Sequence, residues 1–319
     1  VAGAGDVNAD GYDDVIVGAH QYSNGENTEG VAFVYLGSAG GLEISPQALL
    51  EGDVAAADFG WSVAGAGDMN GDGYDEVIVG SPSYSNGEAG EGRAMVFPGS
   101  AAGVSTTAIY DFESDDPGAS LGYSVSGAAD LNADGYTDAA VGAWGYDDPA
   151  NDSTNEGQVF VILGDDTPVS PIVQTLNIDD TASAFGFSVG GGGDFNRDGY
   201  DDLVVGATGS GGNLYDGDGA VFLYLGGPEG IIGAPAFFVE AGVSVADQGA
   251  SVAIVGDADG DKYDEIVMGL PLLTVDTLTN SGMAWGVYGR ELGLNPGFEW
   301  FDANVNDGDG FVNDRLGWS

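Results

Sequence analysis

An acidic nine-residue pattern, Asp-x-Asn-x-Asp-Gly-Tyr-x-Asp, occurs five times along this chain, three times as written and twice with substitutions, which include Glu at the last position. The copies begin at Asp6, Asp68, Asp130, Asp194 and Asp257, which are 62, 62, 64 and 63 residues apart. Ca²⁺ takes about six to eight hard oxygen ligands at roughly 2.3–2.6 Å. Oxygens at loop positions 1, 3 and 5 point to one centre as the chain curls, and glycine at position 6 permits the turn. The pattern therefore predicts about one Ca²⁺ per repeat.

The predicted ligands occupy five positions of each loop. Positions 1, 3, 5 and 9 supply side-chain oxygens, and the tyrosine at position 7 supplies its backbone carbonyl. Mg²⁺ fits this donor set less well, because it keeps several waters in a strict octahedron. The predicted ligands are Asp6, Asn8, Asp10, Tyr12 and Asp14; Asp68, Asn70, Asp72, Tyr74 and Glu76; Asp130, Asn132, Asp134, Tyr136 and Asp138; Asp194, Asn196, Asp198, Tyr200 and Asp202; and Asp257, Asp259, Asp261, Tyr263 and Glu265.

The fifth loop departs from the others at two positions. Lys262 replaces the glycine of position 6, so the loop needs an unfavourable backbone angle or a different turn. Its positive charge is partly offset by Asp259, which replaces the usual asparagine. We expect the fifth ion site to be the weakest or to be built differently. The alternative for all five loops is an acidic Asn/Asp-Gly turn that holds no ion.

Short apolar runs flank every acidic loop and predict an all-β fold. Each unit of about 63 residues reads as four strands, of which Phe59 to Gly67, Val77 to Val79 and Val31 to Leu36 are typical of the first three, and Ala236 to Glu240 of the fourth. This is the size of a propeller blade, and continuous apolar strands suit sheets covered on both faces. We predict a single β-propeller domain over residues 1–319; an open β-solenoid is the alternative.

The two chain ends predict how the array finishes. Val1 to Asp6 matches Val63 to Asp68, and Leu316 to Ser319 matches Phe59 to Ser62. Residues 316–319 would therefore complete the first blade and close a ring of five blades, which removes the open sheet edges. The alternative is part of a larger array, for example a seven-bladed ring.

The charge balance excludes several classes of partner. The chain has 52 Asp and Glu against 5 Lys and Arg, for a formal net charge of −47. Nucleic acid binding needs clustered basic residues, and anionic membrane surfaces attract them too. No apolar run is long enough to predict membrane insertion. The chain has no cysteine, so disulfides contribute nothing. A saline or calcium-rich extracellular setting would screen the acidity.

The repeat resembles a known family. Phe59-Gly60, the acidic loop and then Gly80-Ser-Pro82 are similar to the FG-GAP repeat of integrin α-subunit propellers and their bacterial relatives. The resemblance covers essentially the whole chain and implies Ca²⁺ ligands at the loop positions named above. The rings of that family usually have seven blades, so a five-repeat chain departs from the pattern.

The family geometry would place the variable loops between second and third strands on the face opposite the Ca²⁺ loops. Exposed aromatic residues beside polar groups suit contact with a protein or stacking on a glycan. We therefore expect a ligand on that face. The candidate residues are Tyr22, Tyr84, Trp144, Tyr146 and Tyr215.

Catalysis finds little support in the sequence. His20 is the single histidine and occupies the proline position of a Gly-Ala-Pro element, and no serine or cysteine nucleophile has a recognisable relay. The leading hypothesis is a non-catalytic, extracellular, calcium-binding propeller that acts in adhesion, ligand binding or surface assembly. The alternatives are a lectin-like or polysaccharide-active module, and a self-assembling structural subunit of a fibre or surface layer.

Overall fold

The computed structural model describes residues 1–148, 154–166, 172–178, 180–209, 219–231, 233–240, 247–271, 283–290 and 300–302. Within these residues the regular secondary structure consists of twenty β-strands. The strands are β1 (Ala2–Gly5), β2 (Asp14–Ala19), β3 (Val31–Tyr35), β4 (Ala48–Glu51), β5 (Ser62–Gly67), β6 (Glu76–Ser81), β7 (Arg93–Phe97), β8 (Tyr110–Glu113), β9 (Ser124–Ala128), β10 (Asp138–Ala143), β11 (Gln158–Leu163), β12 (Ile172–Asn177), β13 (Phe185–Gly193), β14 (Asp202–Ala207), β15 (Ala220–Tyr224), β16 (Phe237–Glu240), β17 (Val252–Val255), β18 (Glu265–Leu270), β19 (Met283–Val287) and β20 (Trp300–Asp302).

Each repeat forms one four-stranded antiparallel sheet whose strands follow chain order. The first strands of consecutive sheets, β1, β5, β9, β13 and β17, contact one another in turn. Residues of all five sheets line one central cavity of about 360 Å³. The sheets are therefore the blades of a β-propeller, as the repeat predicts, with the first strand of each blade innermost.

The second strands show why their sequences are continuously apolar. Every residue of β6, β10 and β14 is buried, because neighbouring blades cover both faces of these strands. The outermost strand β12 alternates instead, with Leu176 buried between exposed neighbours. Burial thus falls from the second strand to the outer edge of each blade.

Four hydrophobic cores lie between successive blades rather than within any one of them. Between the first and second blades, Ile16, Val34 and Leu50 pack against Phe59 and Phe97. The remaining junctions have equivalent clusters. Because each sheet buries its faces against its neighbours, a blade gains its stability from the array.

The two halves of the family motif meet at these junctions. A Cβ on Gly80 would lie 2.0 Å from the carbonyl oxygen of Gly122 in the next blade. Gly122 itself has φ +83°, and its amide donates to the Gly142 carbonyl at 3.0 Å. The Ser62 hydroxyl donates to the Gly122 carbonyl at 2.7 Å. Phe-Gly-x-Ser and the glycine of Gly-Ala-Pro are therefore complementary parts of one blade-to-blade contact.

The first strand is shorter than the sequence predicts. Strand β5 begins at Ser62, not at Phe59. The amides of Phe59 and Gly60 donate to Glu29 and Gly80 outside the sheet ladder, at 2.9 and 3.1 Å. Residues 316–319 lie outside the described residues, so closure of the ring by the chain ends stays a prediction. No helix in the described part of the chain has the length and apolar character needed to cross a membrane.

Candidate metal centres and ligand surface

The acidic loops join the first and second strands of each blade and lie at one end of the blades, here called the acidic-loop end. In the first loop the Asp6 carboxylate accepts the amides of Asp10 at 3.0 Å and Gly11 at 2.8 Å. Asn8 Oδ1 accepts the Asp10 amide at 3.0 Å, and Asp10 Oδ1 accepts that of Tyr12 at 3.1 Å. These bonds curl the loop around its own oxygens. An oxygen that accepts one amide keeps a further lone pair for a cation.

The same contacts recur in the next three loops, so the curl is a property of the sequence pattern. The distances from position 1 and position 3 oxygens to the position 5 amide stay between 2.8 and 3.1 Å. In these loops the side chains at positions 1 and 3 thus converge on one amide, that of position 5; that the predicted ligands bind an ion together stays a prediction. That the backbone carbonyl at position 7 binds the ion stays a prediction. The residues at this position are Tyr12, Tyr74, Tyr136, Tyr200 and Tyr263.

The carboxylate at position 9 is the first residue of the second strand and is buried in every loop. Asp14 accepts the Val7 amide at 2.9 Å through Oδ2 and the Gly37 amide at 2.7 Å through Oδ1. Asp138 and Asp202 make the equivalent pairs of bonds. This side chain therefore links the acidic loop to the turn after the third strand.

Burial raises the pKa of every position 9 carboxyl. The pKa of Glu76 rises to about 8 and those of Asp138 and Asp202 to about 7. Desolvation is the largest cause, the two backbone amide bonds oppose it, and the nearby carboxylates of positions 1 and 5 raise the pKa further. The charged form of this carboxyl is therefore unfavourable by itself, and a nearby divalent cation would favour it.

The fifth loop gives the sharpest test of fit to Ca²⁺. Carboxylate oxygens of Asp257, Asp259, Asp261 and Glu265 all lie within 4.8 Å of one another. Two oxygens bound to one Ca²⁺ are at most roughly 5 Å apart, so this donor set fits the ion. Lys262 keeps the common turn at a cost, because its φ is +82° and its amide still donates to Asp257 at 2.9 Å. The predicted unfavourable angle is confirmed.

Position 8 has a role that the sequence pattern did not reveal. The Asp75 carboxylate accepts the Asp6 amide of the preceding blade at 2.7 Å, and Asp201 and Asp264 make the equivalent contacts at 2.9 Å. The third blade has Thr137 at this position, whose backbone amide donates to the Asp68 carbonyl at 3.1 Å. Each acidic loop is therefore fixed to its neighbour as well as to its own blade.

An aromatic cluster lies at the opposite end of the blades, around the central cavity; this is the cavity end. Trp61 and Tyr123 have ring centroids 5.4 Å apart, and Tyr123 and Phe187 are 4.9 Å apart. His20 packs edge-on against Trp61 at 4.9 Å. Trp61, Tyr123 and Phe187 hold the same place in successive blades, the third residue of each Phe-Gly-x-Ser element. Trp61 is 43 % exposed.

The predicted aromatic candidates occupy different environments. Tyr22 is 47 % exposed and packs edge-on against Phe33. The expected exposure of Tyr84 is wrong: it is 7 % exposed, since Arg93 lies 4.7 Å over its ring and its hydroxyl donates to Glu113 at 3.1 Å.

Two further candidates are half-buried, and one is outside the described residues. Trp144 has its ring 5.8 Å from Tyr123, next to the aromatic cluster. Tyr146 packs against the core between the second and third blades, where burial raises its pKa. Tyr215 lies outside the described residues.

A pattern in the sequence indicates the aromatic cluster, although the FG-GAP motif alone does not predict it. The third residue of the Phe-Gly-x-Ser element is aromatic in three successive blades, at Trp61, Tyr123 and Phe187. Their convergence depends on how blades pack around the axis, which local strand patterns do not specify.

Comparison with known proteins agrees with this architecture. The FG-GAP repeat family model matches residues 1–35, 59–97, 121–162 and 185–224. Mouse (Mus musculus) integrin alpha-IIb is 35 % identical over 147 residues, covering 44 % of this chain and 14 % of that protein. Integrin alpha pat-2 of Caenorhabditis briggsae is 30 % identical over 225 residues, covering 65 % of this chain and 17 % of that protein. The chain thus spans less than a fifth of the length of these two relatives.

One solved structure matches this chain at low similarity. It is described as the crystal structure of exotype rhamnogalacturonan lyase YesX, with a TM-score of 0.40 and 15 % identity. The match covers 88 % of this chain and 54 % of that one. At this level of likeness nothing follows about the chemistry of this chain.

Proposed function

Because this chain belongs to the FG-GAP repeat family of integrin α-like propellers, we propose that it is a non-catalytic, calcium-binding propeller that binds a protein ligand at the cell surface or outside the cell. Its integrin α relatives support an adhesive role. The net charge of −47 supports a setting in which Ca²⁺ and salt screen the acidity.

The observation that carries this proposal is that the two ends of the same blades differ in chemistry, with oxygen donors at one end and aromatic side chains at the other. At the acidic-loop end, repeated oxygen donors are held by backbone amides and bonded to the neighbouring blade. At the cavity end, Trp61 and Tyr123 line the central cavity, and Phe187 packs against Tyr123. Large aromatic side chains with exposed edges supply most of the energy in many protein interfaces. In this proposal, Ca²⁺ ions at the acidic-loop end stabilise the array of blades, and the cavity end binds the protein ligand.

The disposition of the remaining acids supports a non-catalytic role. A glycosidase needs an acid of raised pKa, and outside the acidic loops burial and the Asp147 charge raise the pKa of Asp116, while a backbone bond from Asp147 opposes them. Neither residue lines the central cavity. His20 does line it, and its ring packs on Trp61.

The test selects peptide ligands from a random phage-displayed library on the intact chain in millimolar Ca²⁺. Selected peptides are then titrated against Trp61→Ala and against the matched control Leu42→Ala. Trp61 and Leu42 are 43 % and 50 % exposed, and Leu42 follows the third strand at the acidic-loop end. We expect Trp61→Ala to weaken binding at least tenfold, since truncating an interface aromatic costs about 2 kcal/mol or more.

Leu42→Ala should leave the affinity within a factor of two. Peptides that bind both variants as tightly as the unmodified chain would remove the cavity end from the proposal. Equal loss in both variants would point to a general change of fold, which circular dichroism in Ca²⁺ would reveal.

A glycan ligand is the second candidate, favoured by the exposed rings of Trp61 and Tyr22. Sugars stack their apolar faces on such rings. A glycan array probed with the intact chain and with Trp61→Ala separates the two candidates. Saturable glycan binding that Trp61→Ala abolishes would replace the protein ligand with a sugar at the same surface.

A further inference from the structure

A second set of carboxylates recurs at the cavity end, remote from the acidic loops. In the second blade, oxygens of Glu88, Glu91 and Asp115 lie within 4.8 Å of one another. Two oxygens that share one Ca²⁺ are at most roughly 5 Å apart, so the spacing meets the requirement of a common ion.

The first blade has a related cluster that shares two of the three repeat positions. There, oxygens of Glu29, Glu51 and Asp53 lie within 4.8 Å of one another. Glu29 and Asp53 precede Glu91 and Asp115 by 62 residues, which is the repeat length of these blades. The third members, Glu51 and Glu88, are not repeat equivalents, so the part of the arrangement that recurs with the blade is the pair formed by the buried glutamate and the exposed aspartate.

The buried member of the second cluster has an oxygen that lacks a donor. Glu91 has no exposed surface, and its Oε1 accepts the Asn86 amide. Its Oε2 is buried and has no hydrogen-bond partner within the described part of the chain. A buried carboxylate oxygen without a donor is costly, because it has given up water without replacement.

Arg93, the one basic residue in the sequence of the second repeat, contacts other groups. Arg93 forms an ion pair with Asp111 and lies over the Tyr84 ring. The Glu113 carboxylate accepts the Tyr84 hydroxyl and the Asn86 side-chain amide. The acids of the second cluster therefore have a negative charge that these neighbours do not offset.

We propose that Glu88, Glu91 and Asp115 bind a divalent cation of the Ca²⁺ class, and that Glu29, Glu51 and Asp53 bind a second. The donors are carboxylate oxygens alone, which suits hard ions over the transition metals that favour nitrogen or sulfur. These sites are additional to the five acidic loops and lie at the other end of the blades. Each ion would join the loop between second and third strands to the segment after the fourth strand.

Glu91 also links this site to the blade junction. Its backbone carbonyl accepts the Leu121 amide of the third blade at 3.0 Å, and the Glu29 carbonyl accepts the Phe59 amide at 2.9 Å. An ion on either carboxylate would thus stiffen the cavity end where its blades meet. Binding at that end then depends on Ca²⁺ without an ion in contact with the ligand.

The test counts bound Ca²⁺ per chain by equilibrium dialysis and elemental analysis. The variants are Glu29→Gln with Glu91→Gln, and a control pair, Glu43→Gln with Glu229→Gln, which removes the same charge at exposed positions. We expect the first pair to lose two ions and the control pair to lose none. An unchanged count in the first pair would overturn the proposal, as would an equal loss in both pairs.

A second pair keeps the test valid if the buried substitutions impair folding. Asp53 and Asp115 are exposed, so Asp53→Asn with Asp115→Asn should fold normally. We expect this pair to lose the same two ions, and amide resonances of Asn86 and Gly92 to stop responding to Ca²⁺. Resonances that shift as before would overturn the proposal. If the acidic loops bind no Ca²⁺, the unmodified chain would bind only two ions and these variants none. That result is distinguishable from failure of the two sites proposed here, in which the variants would lose no ion.

Discussion

The two ends of the blades differ in how far apart in sequence their bonded residues lie. At the acidic-loop end, carboxylates accept backbone amides within a short segment, as Asp6 does from Asp10 and Gly11. At the cavity end, contacts join residues about one repeat apart, as Ser62 does with Gly122. The first end is held by bonds within each loop and by one bond to the adjoining blade, whereas the second is held by packing and bonds between blades.

Glycine shows the difference most clearly. Gly73 at position 6 of the second acidic loop has φ +89°, and a Cβ there would meet nothing within 4 Å. Gly80 at the cavity end has no such angle, but a Cβ there would lie 2.0 Å from the Gly122 carbonyl oxygen. One glycine is needed for its backbone angle and the other for the space that it leaves.

Removal of Ca²⁺ should have the largest effect. Each ion that binds only the folded chain stabilises it by about 2.7 kcal/mol at a hundredfold excess over Kd. Several loops act together, so we expect chelation to lower Tm by tens of degrees in differential scanning calorimetry at constant 1 M NaCl.

Mg²⁺ at the same concentration is the control and should restore little of that Tm. A chelated chain that melts at the same temperature as the calcium-loaded chain would contradict this prediction. The acidic loops would then be turns held by amides alone, and the two ends would no longer differ in their dependence on ions.

Gly80→Ala should be the most damaging of three glycine substitutions, the others being Gly73→Ala and Gly3→Ala. The new Cβ collides with backbone of the next blade, which cannot move without opening the junction, so we expect a loss of about 3 kcal/mol. Gly73→Ala should cost about 1–2 kcal/mol, the usual penalty for a left-handed angle. Urea unfolding in chelator measures both.

Gly3→Ala is the control for these two changes. A Cβ at Gly3 would meet nothing within 4 Å and φ is not positive there, so its effect should stay within about 0.5 kcal/mol. If Gly73→Ala proved as harmful as Gly80→Ala, the distinction between angle and space would fail.

The same contrast explains which parts of the molecule could be predicted from the sequence. The strands and the acidic loops follow local patterns, and β2, β6 and β10 contain the predicted apolar runs. The burial of Tyr84 depends on Arg93 from another strand, and the convergence of aromatic rings depends on the angle between blades. Contacts between distant segments leave little trace in a local pattern.

The pH dependence of stability should reverse the usual pattern while the chain is free of metal. Glu76, with a pKa of about 8, and Asp138 and Asp202, with pKa values of about 7, bind protons more tightly folded than unfolded. Their stabilisation is complete below the unfolded pKa of about 4 and is lost as pH rises through 7 to 8. At about 1.4 kcal/mol per pKa unit, each of the three groups contributes up to about 4 kcal/mol, so we expect the free energy of unfolding to fall by several kcal/mol between about pH 4 and pH 8.

Two matched measurements isolate these groups from the general repulsion among 52 acids. Glu76→Gln cannot lose a proton at this position, so its unfolding free energy should fall less steeply with pH. Saturating Ca²⁺ should make the free energy of unfolding less dependent on pH, because the bound ion replaces the protons on the position 9 carboxyls. Parallel curves for Glu76→Gln and the unmodified chain would show that position 9 does not titrate in this range.

Lys262 provides the smallest and most specific comparison, since it stands where the other four loops have glycine. Its φ of +82° costs about 1 kcal/mol for a residue with a side chain. Lys262→Gly should therefore raise the free energy of unfolding in chelator by about that amount. Lys262→Ala removes the charge but keeps the angle, so it should gain little without metal. If both variants also bind Ca²⁺ more tightly, the lysine charge weakens the fifth site; if only Lys262→Gly does, the strained turn weakens it.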